Sequence, residues 1–290
     1  MPDKKLIAKG TTADVYEWDD GRVLKLFNTH QSRDGVQYEA DIGRMVAKSG
    51  ISAPQVYEIL EENGLWGIVY ERIVGSQLSD LIRPWNAKRF GREMARLHAT
   101  LFSRHLLELP SQRSRLTARV STSPLLNGSE RDGVLALLEG LPEGSILCHG
   151  DFHPANLMQT GQGLVIIDWT DATQGHPTAD IARTVLILEE LNDTIDLILP
   201  QVIGEGPKPD WLKQLAKPML AYTLRSLLKG YREEIERLVP EAKTLIARWM
   251  PVLAAARLHE GQYINPPSLP DMAQAQQRMV DRMLNIARKG

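Results

Sequence analysis

The chain has a single cysteine, Cys148, so it can form no intrachain disulfide, and a reducing compartment is expected. No run approaches the roughly 18 consecutive apolar residues of a membrane-spanning helix. The opening MPDKKLIAKG lacks the apolar stretch of a secretion signal. Together these absences place the expected location in the cytoplasm. Charge of one sign is also lacking. The net charge is −2, which gives no reason to expect nucleic acid or an anionic membrane as partner. No internal repeat or low-complexity tract occurs. What is present is an ordinary globular balance, 43% hydrophobic and 24% charged over 290 residues, enough for a sizeable core and about two domain-sized units.

The first 75 residues read as strands and turns with one helix. Leu6 to Lys9 and Val15 to Trp18 are strand candidates. Asp19-Asp20-Gly21 signals a turn, and Val23 to Phe27 alternates as a strand does. Gln31 to Lys48 has helical spacing, with Val36, Ile42, Met45 and Val46 on its apolar side and Gly50 as its stop. A strand near Val56 to Leu60 turns at Asn63-Gly64 into Leu65 to Tyr70. After Gly75 the texture changes. Ala87 to Arg104 is helical, with Phe90, Met94, Leu97 and Leu101 at spacings of three and four. Residues from 181 onward are mostly helical, with breaks near Gly204 to Pro209 and Pro266 to Pro270. A short β-rich insert, Ile146 to Asp168, lies between the helical regions. The expectation is an α+β chain with two lobes, a β-rich N-terminal lobe over residues 1–74 and a mainly helical lobe over 75–290, with a cleft between them.

The strongest chemical signal is Cys148-His149-Gly150-Asp151-Phe152-His153-Pro154-Ala155-Asn156. A short strand, a Gly161-Gln162-Gly163 turn and a second strand, Leu164 to Ile167, follow and end at Asp168. Such a segment presents a carboxylate and an amide oxygen on a loop, and a hairpin delivers a second carboxylate. Mg²⁺ prefers oxygen ligands and keeps several waters, so one Asp and one Asn suffice from the protein. The remaining Asp is then available to orient and deprotonate a hydroxyl. His149, Asp151 and His153 also spell H-x-D-x-H, which suggests a transition-metal site. That reading leaves Asn156 and Asp168 unexplained, and zinc favours N and S ligands. His149 therefore reads as a structural residue of the loop, and His98 as one that packs on its helix.

His-Gly-Asp with Asn five residues after the Asp, then Ile167-Asp168-Trp169, then Gly175-His176-Pro177 with Asp180, resembles the aminoglycoside phosphotransferase and choline kinase family. These are small-molecule relatives of the protein kinases. About 0.002 chance matches to the first four fixed residues are expected over roughly 280 starting positions. The resemblance is specific over residues 148 to 180 and looser elsewhere. It implies a protein-kinase-like fold, with Asp151 as the catalytic Asp, Asn156 and Asp168 as Mg²⁺ ligands, and Asp180 as a buried brace for the catalytic loop.

It also implies a lysine on the third strand. Lys25 lies there, and strand alternation puts it on one face with Val23. The resemblance makes Val23 part of the adenine roof and Lys25 the holder of the α- and β-phosphates. Gly10-Thr11-Thr12-Ala13-Asp14-Val15 stands where the phosphate-covering loop belongs, though with one glycine instead of several. Its N–H groups and the hydroxyls of Thr11 and Thr12 offer donors to phosphate. Glu39 is the expected partner of Lys25, with Asp41 as the alternative. Glu71-Arg72-Ile73 corresponds to the hinge whose backbone meets adenine.

Protein kinases carry a long activation segment, but only eleven residues separate Asp168 from Asp180, and Gly150 stands where they usually have Arg. Both departures point to a small-molecule substrate. The expected activity is transfer of the γ-phosphate of ATP, or of GTP, with Mg²⁺, to a hydroxyl of an antibiotic, amino alcohol or sugar-like metabolite. A nucleotide-binding pseudokinase without turnover is the alternative, and the intact set of Lys25, Asp151, Asn156 and Asp168 counts against it. Residues 181–290 hold 13 acidic and 15 basic residues, a net of +2 that disfavours a polycationic aminoglycoside. Trp211, Tyr222, Tyr231, Trp249 and Tyr263 are aromatic candidates for a sugar face or a quaternary ammonium, against ordinary core packing.

Overall fold

In a computed structural model of the chain, the described residues are 4–10, 12–28, 31–204, 209–260 and 270–289. They form two compact units, Met1–Leu81 with Pro154–Ala172, and Ile82–His153 with Thr173–Gly290.

The first unit is built on a five-stranded antiparallel sheet in the order β1-β2-β3-β5-β4. Its strands are β1 (Leu6–Lys9), β2 (Ala13–Asp19), β3 (Arg22–Phe27), β4 (Val56–Glu62) and β5 (Leu65–Glu71). Both expected tight turns occur. Gly21 has φ +83°, and Asn63 and Gly64 have φ +54° and +78°, the left-handed pair that a two-residue hairpin demands. Helix α1 (Arg33–Lys48) is N-capped by Ser32, whose side chain accepts from the Gly35 N–H. Alternation divides the sheet. Ala13, Phe27 and Ile68 pack with Val36 and Ala40 of α1, while Leu24, Leu26 and Val69 form a separate cluster.

The β-hairpin of β8 (Leu157–Thr160) and β9 (Gly163–Ile166) belongs to this same unit. Its anchor is β6 (Ser76–Gln77), which pairs antiparallel with β8. The Ile166 N–H also donates to Ser52 O at 3.0 Å. Gly75 is needed here, because a Cβ would lie 2.3 Å from Gln159 O. The sequence reading divides the chain once, at 74/75. Packing instead carries the first unit through the short helix α2 (Leu78–Leu81) and returns residues 154–172 to it.

The second unit contains helices α3 (Ala87–Leu101), α4 (Gln112–Thr122), α5 (Gly128–Glu139), α6 (Pro177–Asp193), α7 (Ile195–Ile203), α8 (Asp210–Leu238), α9 (Ala242–Arg257) and α10 (Pro270–Ala287). The strands β7 (Ile146–Cys148) and β10 (Thr173–Gly175) pair antiparallel within it. Helix α6 is buried along most of its length and begins at Pro177, with His176 as N-cap. Helices α3 and α8 cross at two glycines. A Cβ on Gly91 would meet Leu227 O at 2.1 Å, and one on Gly230 would meet Lys88 O at 2.2 Å. Tyr231 and Trp249 are core residues, whereas Trp211 and Tyr222 are exposed. Tyr263 and most of the expected Pro266–Pro270 break lie outside the described residues. No helix among the described residues is long and apolar enough to cross a membrane.

Candidate active site

Lys25 occupies the middle of β3, between Val15 of β2 and Ile68 of β5. Cross-strand partners share a face, so Val15, Lys25, Val23 and Tyr70 all lie on the side of the sheet that α1 covers. The Lys25 Nζ donates to Glu39 Oε1 at 2.8 Å and to Asp168 Oδ1 at 3.4 Å. Asp41 instead accepts from Gln37 and Arg44 on its own helix. Two residues along a helix differ in direction by about 200°, which separates Glu39 from Asp41. Burial alone would lower the Lys25 pKa. Asp168 and Glu39 outweigh it and hold the ammonium above its ordinary value.

Tyr70 completes this group, and the sequence reading treated it only as a strand residue. Its hydroxyl donates to the same Glu39 Oε1 at 3.0 Å. Burial, and then the Glu39 charge, push the phenol well above its usual pKa. The signal was available, since alternation along β5 puts Ile68 and Tyr70 on the Lys25 face.

Asp168 follows β9 with φ +60°, a left-handed conformation that Asp tolerates better than most side chains. Its neighbours fix it. The Ile167 N–H donates to Asn156 O at 3.0 Å, the Trp169 indole donates to Ile166 O, and Thr170 Oγ1 donates to Asp168 Oδ1 at 2.9 Å. The Ile167 bond ties the backbone beside Asp168 to Asn156, which ends the one-turn 3₁₀ helix Pro154–Asn156. Asn156 is buried and the Asp168 side chain is 45% exposed. An amide and a carboxylate, both oxygen donors, suit a hard divalent cation such as Mg²⁺. No group of three or more His, Cys, Asp or Glu with the geometry of a metal site occurs among the described residues.

In the loop before β2, the Gly10 N–H donates to Asp14 Oδ1 at 3.3 Å, and a Cβ on Gly10 would lie 2.5 Å from Ala13 O. Thr12 is exposed and its carbonyl accepts from the Asn28 N–H. Thr11 lies outside the described residues. At the end of β5, the Glu71 N–H donates to Gln55 O and its carboxylate accepts from the Gln55 N–H. Ile73 follows, partly buried.

Asp151 belongs to the second unit. Gly150 before it has φ +80°, so glycine suits the position by conformation. The Asp180 carboxylate, 1% exposed, accepts from the N–H of His149 at 2.7 Å and of Gly150 at 2.8 Å. His149 Nδ1 accepts from the Asp151 N–H at 3.1 Å. The Asp151 carboxylate lies 3.2 Å from His153 Nε2 and 3.7 Å from Arg183 Nη2. Burial pushes this carboxyl up, but His153, Arg183 and His149 outweigh it and hold it well below the usual carboxylate range.

Arg183 is a residue that sequence reasoning missed. From α6 it donates through Nε to Gly150 O at 3.1 Å and through Nη2 to Glu260 at 2.6 Å. Arg257 meets the same Glu260 at 3.5 Å and pairs with buried Glu190 at 2.6 Å. His98 requires a correction. It does not merely pack on its helix but hydrogen-bonds Tyr231 and Asp180 and stacks on Phe152. The residues it joins are far apart in sequence, so no local pattern announces it.

The description of the phosphotransferase enzyme family matches residues 4–215. No curated protein matches the chain. Among solved structures, the chain is similar to a thermostable mutant of aminoglycoside phosphotransferase APH(4)-Ia in ternary complex with ADP and hygromycin B. The TM-score is 0.65 at 16% identity, covering 100% of this chain and 94% of that one. A choline/ethanolamine kinase family protein from Mesorhizobium loti gives 0.56 at 16% identity, covering 98% and 87%. ADP-bound aminoglycoside phosphotransferase APH(2'')-Ib gives 0.52 at 13% identity, covering 98% and 94%. At these identities the likeness is one of fold, the protein-kinase-like α+β arrangement of an antiparallel-sheet unit and a helical unit.

Proposed function

Because the chain belongs to the phosphotransferase enzyme family, we propose that it is an ATP-dependent, Mg²⁺-requiring kinase of a small-molecule hydroxyl. The observation that carries this reading is Lys25 held between Glu39 and Asp168. A lysine fixed this way, beside a carboxylate and a backbone-linked Asn, is what binding of a metal–triphosphate requires. Lys25 meets the α- and β-phosphates as a fixed positive charge. Gly10, Thr11 and Thr12 add backbone and hydroxyl donors to phosphate. Val15 and Val23 offer an apolar surface to the base, and the Glu71–Ile73 backbone offers it hydrogen bonds. Asn156 and Asp168 hold the metal. Mg²⁺·ATP supplies the phosphoryl group together with neutralisation of its charge.

Asp151 receives the acceptor hydroxyl. Its depressed pKa keeps it ionised at neutral pH, so it accepts that hydroxyl's hydrogen bond and orients the oxygen. The same low basicity delays proton transfer until the bond to phosphorus makes the hydroxyl acidic. Positioning and charge neutralisation therefore supply most of the acceleration. The acceptor falls in the class of antibiotics, amino alcohols or sugar-like metabolites, and the surplus of basic residues over 181–290 disfavours a polycation. We place the activity in the cytoplasm.

An ATP-consumption screen of the purified protein over hydroxyl-bearing metabolites and antibiotics tests the proposal, with GTP as the alternative donor. Nucleotide consumption that needs both Mg²⁺ and one acceptor class supports it. No consumption with any acceptor, together with no Mg²⁺-dependent nucleotide binding, overturns it.

A further inference from the structure

Helix α6 carries Arg183 and Glu190 about two turns apart, which brings them to one face. The end of α9 meets that face with Arg257 and then Glu260, whose N–H donates to Arg257 O at 2.8 Å. Four charges alternate there. Glu190 accepts from Arg257 at 2.6 Å, Arg257 lies 3.5 Å from Glu260, and Glu260 Oε1 accepts from Arg183 Nη2 at 2.6 Å. The line ends at Asp151, whose Oδ1 lies 3.7 Å from the same Nη2, beyond hydrogen-bond length. Glu190, Arg257 and Arg183 are buried. Burial pushes the Glu260 carboxyl up, but Arg183, Arg257 and Arg119 outweigh it and hold it below its ordinary value, so it is ionised.

We infer that Glu260 is a positioning residue for phosphoryl transfer, and that it acts by holding Arg183 off Asp151. The Arg183 guanidinium is tethered at two points, with Nε on Gly150 O at 3.1 Å and Nη2 on Glu260. Of the two carboxylates it meets, Glu260 is the nearer. A buried guanidinium that loses one carboxylate turns to the next, because an unmet charge away from water is costly. With Nε still on Gly150 O, a shift of about 1 Å brings Nη2 within hydrogen-bond length of Asp151 Oδ1. Oδ2 already lies 3.2 Å from His153 Nε2. Both oxygens of Asp151 would then accept from side chains of the protein itself, and the acceptor hydroxyl would meet a masked carboxylate. Glu260 therefore keeps Asp151 open by drawing the guanidinium aside.

The inference rests on the reading of Asp151 as the group that receives the acceptor hydroxyl, so the test has one arm that needs no activity. The variants are Glu260→Met, which removes the carboxylate and keeps most of the volume, Arg183→Met, and the two combined. In the first arm, crystal structures of the wild type and Glu260→Met are compared. Arg183 should close on Asp151 to about 3 Å in the variant and stay apart in the wild type. In the second arm, kcat and kcat/KM are measured with the acceptor found for the wild type. Both should fall together in Glu260→Met by about 10- to 100-fold, approaching the loss of a general base. The double variant should be no slower than Arg183→Met alone, because without Arg183 there is no guanidinium to hold aside. If Glu260 instead fixes the end of α9 or binds the acceptor, its loss stays costly when Arg183 is absent, and that result overturns the inference. So does a raised KM with kcat unchanged in Glu260→Met, or an Arg183 that stays off Asp151 in that variant. If Glu260→Met does not fold, Glu260→Gln takes its place in both arms. A wild-type protein that phosphorylates nothing refutes the kinase reading instead, and the structural arm still decides whether Glu260 restrains Arg183.

Discussion

Lys25 and Asp168 stand 143 positions apart in the chain and 3.4 Å apart in space. The ammonium comes from the third strand of the sheet, and the carboxylate comes from the hairpin that β6 ties to the same unit. Lys25 also holds Glu39, so one cation is shared by two carboxylates.

In the proposed function Asp168 has two tasks, restraining Lys25 and offering oxygen to a metal. Asp168→Asn removes one negative charge from both. Mg²⁺-dependent ATP binding and turnover should fall together, while Mg²⁺-independent nucleotide binding changes less. Calorimetric titration of ATP with and without Mg²⁺ checks this, and an unchanged metal dependence would locate the cation elsewhere.

Lys25 and Glu39 should be energetically coupled. In a double-mutant cycle of Lys25→Ala and Glu39→Ala on kcat/KM, the coupling energy should be about 0.5–3 kcal/mol, the range for residues in contact. Asp41→Ala is the control. Its carboxylate is engaged with Gln37 and Arg44, so its effect should add to that of Lys25→Ala.

Arg183 predicts a pH effect with a definite sign. The charged and titratable groups that face Asp151 are His149 and His153 of its own loop and Arg183 of α6, with Glu260 behind Arg183. They depress the Asp151 pKa, so the reactive carboxylate is present above that depressed value and is lost as pH falls through it. Arg183→Met should raise the pKa toward the ordinary carboxylate range. The acid limb of the kcat/KM profile should therefore move to higher pH, with the alkaline limb in place. A coincident acid limb in wild type and variant would remove Arg183 from this role.

The α3–α8 crossing predicts a stability effect remote from any ligand. In Gly230→Ala the added methyl meets the Lys88 carbonyl, and backbone yields poorly. Overpacking of this kind costs about 1–3 kcal/mol, which a urea midpoint measures. Gly133→Ala is the control, since a Cβ there meets nothing within 4 Å and alanine favours the helix.

Two parts of this picture were legible in the sequence because they are local. Alternation along Val23 to Phe27 placed Lys25, and the Asn63-Gly64 pair named its own turn. The segment from His149 to Asp168 was laid out too, since a loop and one hairpin suffice to form it. What depended on distance was not legible. His98 finds Asp180 82 residues away and Tyr231 133 away, and Arg183 reaches Gly150 33 positions back. The pairing of β6 with β8, within the first unit, was not legible either, because a two-residue strand leaves almost no periodic signal. Glu39 was the expected partner of Lys25 with Asp41 as the alternative, and Lys25 meets Glu39 while Asp41 stays with Gln37 and Arg44.

The most direct measurement is ³¹P NMR of the purified protein with ATP, Mg²⁺ and the acceptor found by screening, run beside Asp151→Asn. The account predicts a new phosphate monoester resonance that grows with ADP in the wild type. In the variant it should form at least about a hundredfold more slowly, the scale of a lost general base, with nucleotide binding near normal. Monoester formation at the wild-type rate in Asp151→Asn would contradict the account, as would ADP appearing with inorganic phosphate alone.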